Sequence, residues 1–180
     1  RANVDGNAPP LMSTHGGAMF RRVNLTKLAP GTLYLHSMPG RCEPMDNWLQ
    51  AVRDHKISHV ICLAPPDDVR NESPRYADLL ESNGLRCPHR LFPIPDFGVP
   101  ADRGAFAARV EEAAGWLREG GRVLVHCGAG IGRTGMFAVG VFIALGLDHA
   151  HALARVEEAG SYPERDAQRD LLTWYASSRS

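Results

Sequence analysis

Net charge is missing from this sequence: 20 Lys and Arg offset 20 Asp and Glu among 180 residues. No overall field draws the chain to nucleic acid or to an anionic membrane, so any attraction for phosphate must be local. Long apolar runs are missing too. Residues 136–147 form the longest, which is short of the roughly twenty that a spanning helix needs and is broken by Gly140 and Gly146. That run reads as a buried central helix, and no membrane partner is expected. Cysteine is scarce: Cys42, Cys62, Cys87 and Cys127 are widely spaced and form no Cys-x-x-Cys pair. Histidines in ligand-like pairs are absent as well, since His149 and His151 stand two apart and fall on different faces of any helix. No metal and no cofactor is expected.

What remains is ordinary globular material, 44% hydrophobic and 22% charged. At 180 residues the chain can bury one sizeable core but not two typical ones. The chain opens with Arg1, and residues 1–18 are rich in Gly, Asn, Ala and Pro without periodicity. They read as a mobile tail or expression remnant with no signal peptide, which leaves a single domain over 19–180.

One segment stands out. Residues 123–135 read Val-Leu-Val-His-Cys-Gly-Ala-Gly-Ile-Gly-Arg-Thr-Gly. A short β-branched run leads into a cysteine and a glycine-rich stretch, and a run of helical length follows, so the glycines occupy a strand-to-helix turn. Small residues there let backbone N–H groups curl around an anion, and the next helix offers its unpaired N–H groups and positive dipole end to the same point. His126, Gly128, Ala129, Gly130, Ile131 and Gly132 are thus candidate phosphate-binding positions. Arg133 adds a planar fork that can bond two phosphoryl oxygens at once. Beneath this loop Cys127 is surrounded by groups that favour thiolate over thiol, which makes it a nucleophile at neutral pH. Thr134 can donate its hydroxyl to the sulfur and ease its later departure. A working thiolate must stay reduced, which points to a reducing, cytoplasmic compartment.

His126-Cys127, five residues, then Arg133-Thr134 resembles the signature loop of the cysteine-dependent protein tyrosine and dual-specificity phosphatases. Other readings compete. Gly130-Ile-Gly-Arg-Thr-Gly135 fits the G-x-G-x-x-G dinucleotide pattern, but it starts late, contains Arg133 and follows His-Cys. An ATP-type loop needs Gly-Lys-Ser/Thr, which is absent. A rhodanese-like sulfur carrier also uses a Cys-headed anion loop but does not share the Gly-Arg-Thr-Gly ending. A structural cysteine in a glycine turn explains neither Arg133 nor the glycines.

A phosphatase of this kind also needs an acid for the leaving oxygen. Asp96 lies in Pro93-Ile-Pro-Asp-Phe-Gly-Val-Pro100, where three prolines and a glycine hold a carboxylate on a stiff loop. In the family the acid lies on such a Pro-Asp-x-Gly-x-Pro loop about thirty residues before the cysteine, and Asp96 matches it. Taken alone, Asp96 is an ordinary turn residue, while Asp102 reads as the N-cap of the next helix. Once deprotonated, Asp96 can activate the water that hydrolyses the cysteinyl-phosphate. Gln168 resembles a family glutamine that orients this water, although a solvated helix residue would look the same. His126 matches the family histidine and fixes the loop rather than acting as a base.

Residues 32–36, 58–63 and 85–92 read as strands, as does the 123–126 run. Helices are expected at 45–55, 74–82 (ended by Asn83-Gly84), 101–119, 149–159 and 166–177. This alternation argues an α/β fold: three layers, a mostly parallel central sheet flanked by helices, and a ligand site at the carboxyl ends of the strands. The front half is similar to small single-domain dual-specificity phosphatases, nearest their kinase-associated branch. That resemblance implies hydrolysis of phosphotyrosine and of phosphoserine or phosphothreonine on a phosphorylated protein or peptide. The alternative is a phosphoprotein-binding module with little chemistry. Ala129 and Ile131 stand where phosphoinositide enzymes often carry lysines, which disfavours strongly anionic lipids. Cys62 reads as a buried inert thiol, or else as one that could trap Cys127 in a disulfide. Arg70, Arg75 and Arg103 are given no role.

Overall fold

A computed structural model describes residues 19–179; the tail expected at 1–18 lies outside the described residues. Five strands form one sheet: β1 (Arg21–Val23), β2 (Thr32–His36), β3 (His59–Cys62), β4 (His89–Leu91) and β5 (Arg122–His126). Their order is β1-β2-β5-β3-β4, and every pairing is parallel except β1 with β2. β5 is therefore central. His126 at its end pairs with His36 of β2 on one side and Cys62 of β3 on the other.

Alternation along the strands divides the interior in two. Leu33, Leu35, Ile61, Val123 and Val125 face one core with helices α4 (Arg103–Arg118), α5 (Gly132–Ala144), α6 (His149–Glu158) and α7 (Asp166–Ser177). Tyr34, Val60, Cys62 and Leu124 face the other, with α1 (Met45–Asp54), α2 (Pro66–Glu72) and α3 (Pro74–Glu81). The result is the three-layer α/β sandwich expected from the alternation. α4 shows how it is built: Phe106, Val110, Ala113, Ala114 and Leu117 recur at helical spacing and are all buried. Asp102 caps this helix as expected, accepting from the N–H groups of Gly104 (2.7 Å) and Ala105 (3.2 Å). α5 is buried along its whole length. A Cβ at its Gly140 would meet Phe106 and Val110 at 2.8 and 2.9 Å, so the glycine lets α4 and α5 approach closely.

Several expected boundaries shift. The strand expected over 85–92 shrinks to His89–Leu91, because Pro88 has no N–H to give a ladder. α2 was not anticipated, although Pro66 stands in its first turn and Asp67 and Asp68 complement its dipole. β1 is a three-residue polar edge strand with no apolar alternation to announce it. The helix expected over 136–147 begins at Gly132, which puts Arg133 and Thr134 in its first turn. Among the described residues no helix is long and apolar enough to cross a membrane.

Candidate active site

β5 delivers Cys127 at the carboxyl edge of the sheet, and α5 starts five residues later. Between them the backbone turns back on itself through Gly130, whose φ is +75°. That conformation favours glycine. A Cβ there would also strike the His36 carbonyl at the end of β2, so the turn is pressed against the sheet. Two donors converge on Cys127 Sγ: the Gly130 N–H at 3.3 Å and the Thr134 hydroxyl at 3.1 Å. The N–H groups of Gly128, Ala129 and Ile131 have no protein partner among the described residues. Together with the free N–H groups of the first turn of α5, they are unpaired donors on the loop that begins at Cys127, an arrangement of the kind that can hold an anion.

Arg133 is buried and connects this loop to the proline-rich loop. Nη1 donates to the Ile94 carbonyl at 3.0 Å, and Nη2 lies 3.1 Å from Asp96 Oδ1. Asp96 itself is exposed on a tight turn in which the Gly98 N–H donates to the Pro95 carbonyl at 2.8 Å. Phe97, third in this turn, takes the left-handed region at φ +57°, where glycine is preferred. The Arg165 guanidinium covers its ring, 4.7 Å from the centroid. Cys127, Gly128, Ala129, Gly132, Arg133, Asp96 and Phe97 thus line one cleft of about 190 Å³. Arg41, Glu72 and Glu164 complete its wall.

A family model described as "Polymorphic toxin system, DSP-PTPase phosphatase" matches residues 36–146, which run from the last residue of β2 through α5 and include every residue of this loop. The chain belongs to this family. The serine/threonine/tyrosine-interacting proteins of Mus musculus and Homo sapiens are each 28% identical to it over 115 residues, 63% of this chain and 48% of theirs. The chain therefore spans about half the length of these curated relatives. The crystal structure of kinase associated phosphatase superposes with a TM-score of 0.75 at 17% identity, covering 88% of this chain and 94% of that one. The human tyrosine phosphatase-like serine/threonine/tyrosine-interacting protein superposes at 0.67 with 24% identity, covering 85% and 95%. At these identities the structural likeness concerns the fold alone.

In this DSP-PTPase family member His126 lies beneath the loop, fully buried. Its Nδ1 donates to the Cys127 carbonyl (3.1 Å), so Nε2 accepts from the Tyr76 hydroxyl (2.8 Å). Burial is the main cause that pushes this imidazole down to about 3, and it is neutral at ordinary pH. Gln168 is buried outside the cleft. Its Oε1 accepts from the N–H groups of Glu164 (2.8 Å) and Arg165 (3.4 Å), and its Nε2 donates to the Gly98 carbonyl (3.1 Å) of the proline-rich loop. Cys62 faces the opposite core, donates to the Ala64 carbonyl and is pushed up to about 12, chiefly by burial. Such a thiol is unreactive in its resting state. Arg70 pairs with Asp78 and Glu81, Arg75 pairs with Asp46, and Arg103 covers Trp174; all three lie away from the cleft.

Sequence reasoning missed Arg21, Ser161, Glu164, Glu72 and Tyr76. Arg21 and Ser161 both donate to the Gly130 carbonyl, from 109 and 31 residues away. Glu164 rests against Gly132, where any Cβ would displace its carboxylate. Only Glu164 carried a usable signal, an acidic residue just after Pro163 and ahead of α7.

Proposed function

We propose that this chain is a phosphomonoester hydrolase that works through a cysteinyl-phosphate. The observation carrying this reading is the convergence of the Gly130 N–H and the Thr134 hydroxyl on Cys127 Sγ, with Arg133 and Asp96 in the same cleft. Oriented donors of this kind stabilise a negative sulfur and, equally, the equatorial oxygens of a phosphoryl group.

In the proposed first step Cys127 Sγ attacks phosphorus while the S–P bond forms and the P–O bond to the leaving group breaks. Arg133 and the loop N–H groups hold the phosphoryl oxygens, and Asp96 gives its proton to the departing oxygen. An incoming phosphate also competes with Asp96 for Arg133 Nη2, now 3.1 Å from the carboxylate, and so frees Asp96 for this transfer. In the second step Asp96 takes a proton from water, whose oxygen attacks phosphorus. The S–P bond then breaks, and the Thr134 hydroxyl stabilises the returning thiolate. Gln168 ties the acid loop to α7 through Gly98, and we assign it to holding Asp96 over the cradle.

The proposed substrates are phosphotyrosine and phosphoserine or phosphothreonine on a protein. On the cleft wall Arg41 pairs with Glu72 at 3.5 Å, and Glu164 adds negative charge beside a loop without lysine, which opposes ligands bearing several phosphates. We treat residues 19–180 as one domain, because both cores share one sheet, and place it in a reducing compartment, where Cys127 stays active. The family description extends to a toxin-system effector. Expression in a host cell should then slow growth, and Cys127→Ser should relieve it; equal toxicity of the two would remove that setting.

Hydrolysis of a generic aryl phosphate in the presence of a chelator tests the mechanism. Activity should persist, vanish in Cys127→Ser and fall in Asp96→Ala; full turnover by Cys127→Ser would refute it. A binding-only module is the second reading, favoured by the "interacting" names of the curated relatives. Against it stands the joint retention of nucleophile, acid and Thr134, which binding does not need. Tight phosphopeptide binding without any turnover would decide for that reading.

A further inference from the structure

The first strand of the sheet sends one side chain across the molecule to the back of the signature loop. Arg21 Nη2 donates to the Gly130 carbonyl at 2.5 Å, while its Nη1 donates to the Ala159 carbonyl and to Ser161 Oγ, both at 2.9 Å. Ser161 is fully buried and donates its own hydroxyl to the same Gly130 carbonyl at 2.7 Å. One loop carbonyl is thus held by two donors that are themselves bonded to each other. This is unusual investment at a single peptide, and the peptide is the one following the positive-φ glycine.

A trans peptide points its C=O and its N–H in opposite directions. With the Gly130 carbonyl drawn away from the cradle, the N–H of Ile131 is turned towards it. Released, this peptide could flip and aim an oxygen at an incoming phosphate, which would replace an attraction by a repulsion. Burial is the largest cause that lowers the Arg21 guanidinium from its ordinary ionisation range, and the Cys127 sulfur opposes it. The other charged groups around the cleft are Arg133, Arg41, Asp96, Glu72 and Glu164. None of them contacts the Gly130 carbonyl.

We propose that Arg21, with Ser161, is a positioning residue that locks the Gly130–Ile131 peptide and keeps the phosphate cradle formed before substrate arrives. Arg21 touches neither the nucleophile nor the phosphate position. It acts through the loop, and it makes the edge strand β1 and the α6–α7 connection parts of the anion site. The inference rests on the phosphate-site reading of the loop, and it holds whether the cleft hydrolyses its ligand or only binds it.

Calorimetric titration with inorganic phosphate, alongside aryl-phosphate kinetics, tests it. Arg21→Met should weaken phosphate binding at least tenfold and raise KM more than it lowers kcat. Arg21→Lys, which keeps a donor and the charge, should recover part of the loss. Ser161→Ala should show a smaller change in the same direction, and it serves as the test if Arg21→Met does not fold. Unchanged phosphate affinity in Ser161→Ala and in a folded Arg21→Met would overturn the lock. So would a lysine variant no better than methionine. Wild-type protein that binds phosphate without hydrolysing anything would refute the phosphatase reading and leave the lock standing, whereas failure to bind phosphate would end both.

Discussion

Lowering the pH from 7 to 5 should weaken the fold most strongly through one side chain, His126. Its imidazole is fully buried, and burial is the largest cause holding it at about 3; the nearby Arg133 charge acts the same way, against the opposing bond to the Cys127 carbonyl. In the unfolded chain the same group titrates near 6.5. Between these values the unfolded state binds a proton that the folded state refuses, so stability falls as pH falls and levels off only below about 3. Each pH unit in that window is worth about 1.4 kcal/mol, which gives about 2 kcal/mol lost by pH 5 and about 5 kcal/mol by pH 3. Against a typical domain stability of about 5–15 kcal/mol this is a large share.

Urea unfolding of the wild type and of His126→Asn at pH 7, 6 and 5 measures the effect. Asparagine keeps an N–H for the Cys127 carbonyl but cannot take up a proton. It also leaves the Tyr76 hydroxyl without its acceptor, so the variant should be weaker at pH 7 by about 1–3 kcal/mol. Its further loss on going to pH 5 should be about 2 kcal/mol smaller than that of the wild type. His59 and His89 are also pushed down, mainly by burial, but they are present in both proteins and cancel. Parallel stability curves would refute the argument, since they would mean that His126 does not resist protonation where it sits.

Asp96→Ala should slow hydrolysis of phosphoserine peptides by about 10²–10⁴-fold, as loss of a general acid does. An aryl phosphate with an acidic phenol needs less help and should lose less; equal losses would move the acid role elsewhere. Glu164→Gln removes a carboxylate from the cleft wall and should tighten phosphate binding by about two- to fivefold at low salt, a gain of about 0.5–1 kcal/mol that salt erases. Titration at two ionic strengths would show it, and weaker binding would give Glu164 a supporting role instead. Gly140→Ala gains about 1 kcal/mol of helix propensity but forces a Cβ within 2.8–2.9 Å of Phe106 and Val110. Overpacking costs about 1–3 kcal/mol, so thermal unfolding should shift down; a rise would mean that α4 can yield.

The layout of the cleft was legible where it is local. Val123 to Thr134 is one strand, one turn and the start of one helix, so residue order alone brings Cys127, the loop N–H groups, Arg133 and Thr134 together. Asp96 was legible for a related reason, since its flanking prolines restrict the backbone whatever surrounds them. The extent of the elements was less so. A start at 136 follows the apolar run and misses Gly132 to Gly135, whose poor helix propensity is outweighed by the buried contacts of Arg133 and Thr134. The supports of the loop had no local signature at all. Tyr76 reaches His126 from 50 residues upstream, and Arg21 reaches Gly130 from 109 residues upstream. Each is an unremarkable residue in its own segment, a tyrosine on an amphipathic helix and an arginine in a polar edge strand. They acquire a role only because β5 is the central strand: β2 and β3 on either side, the edge strand β1 beyond β2, and the helices covering them bring distant segments to the point where the loop begins. Central placement of the strand that ends at Cys127 is therefore what couples distant segments to this loop. Substitutions that weaken phosphate binding without touching the cleft should accordingly cluster in β1, α3 and the α6–α7 connection.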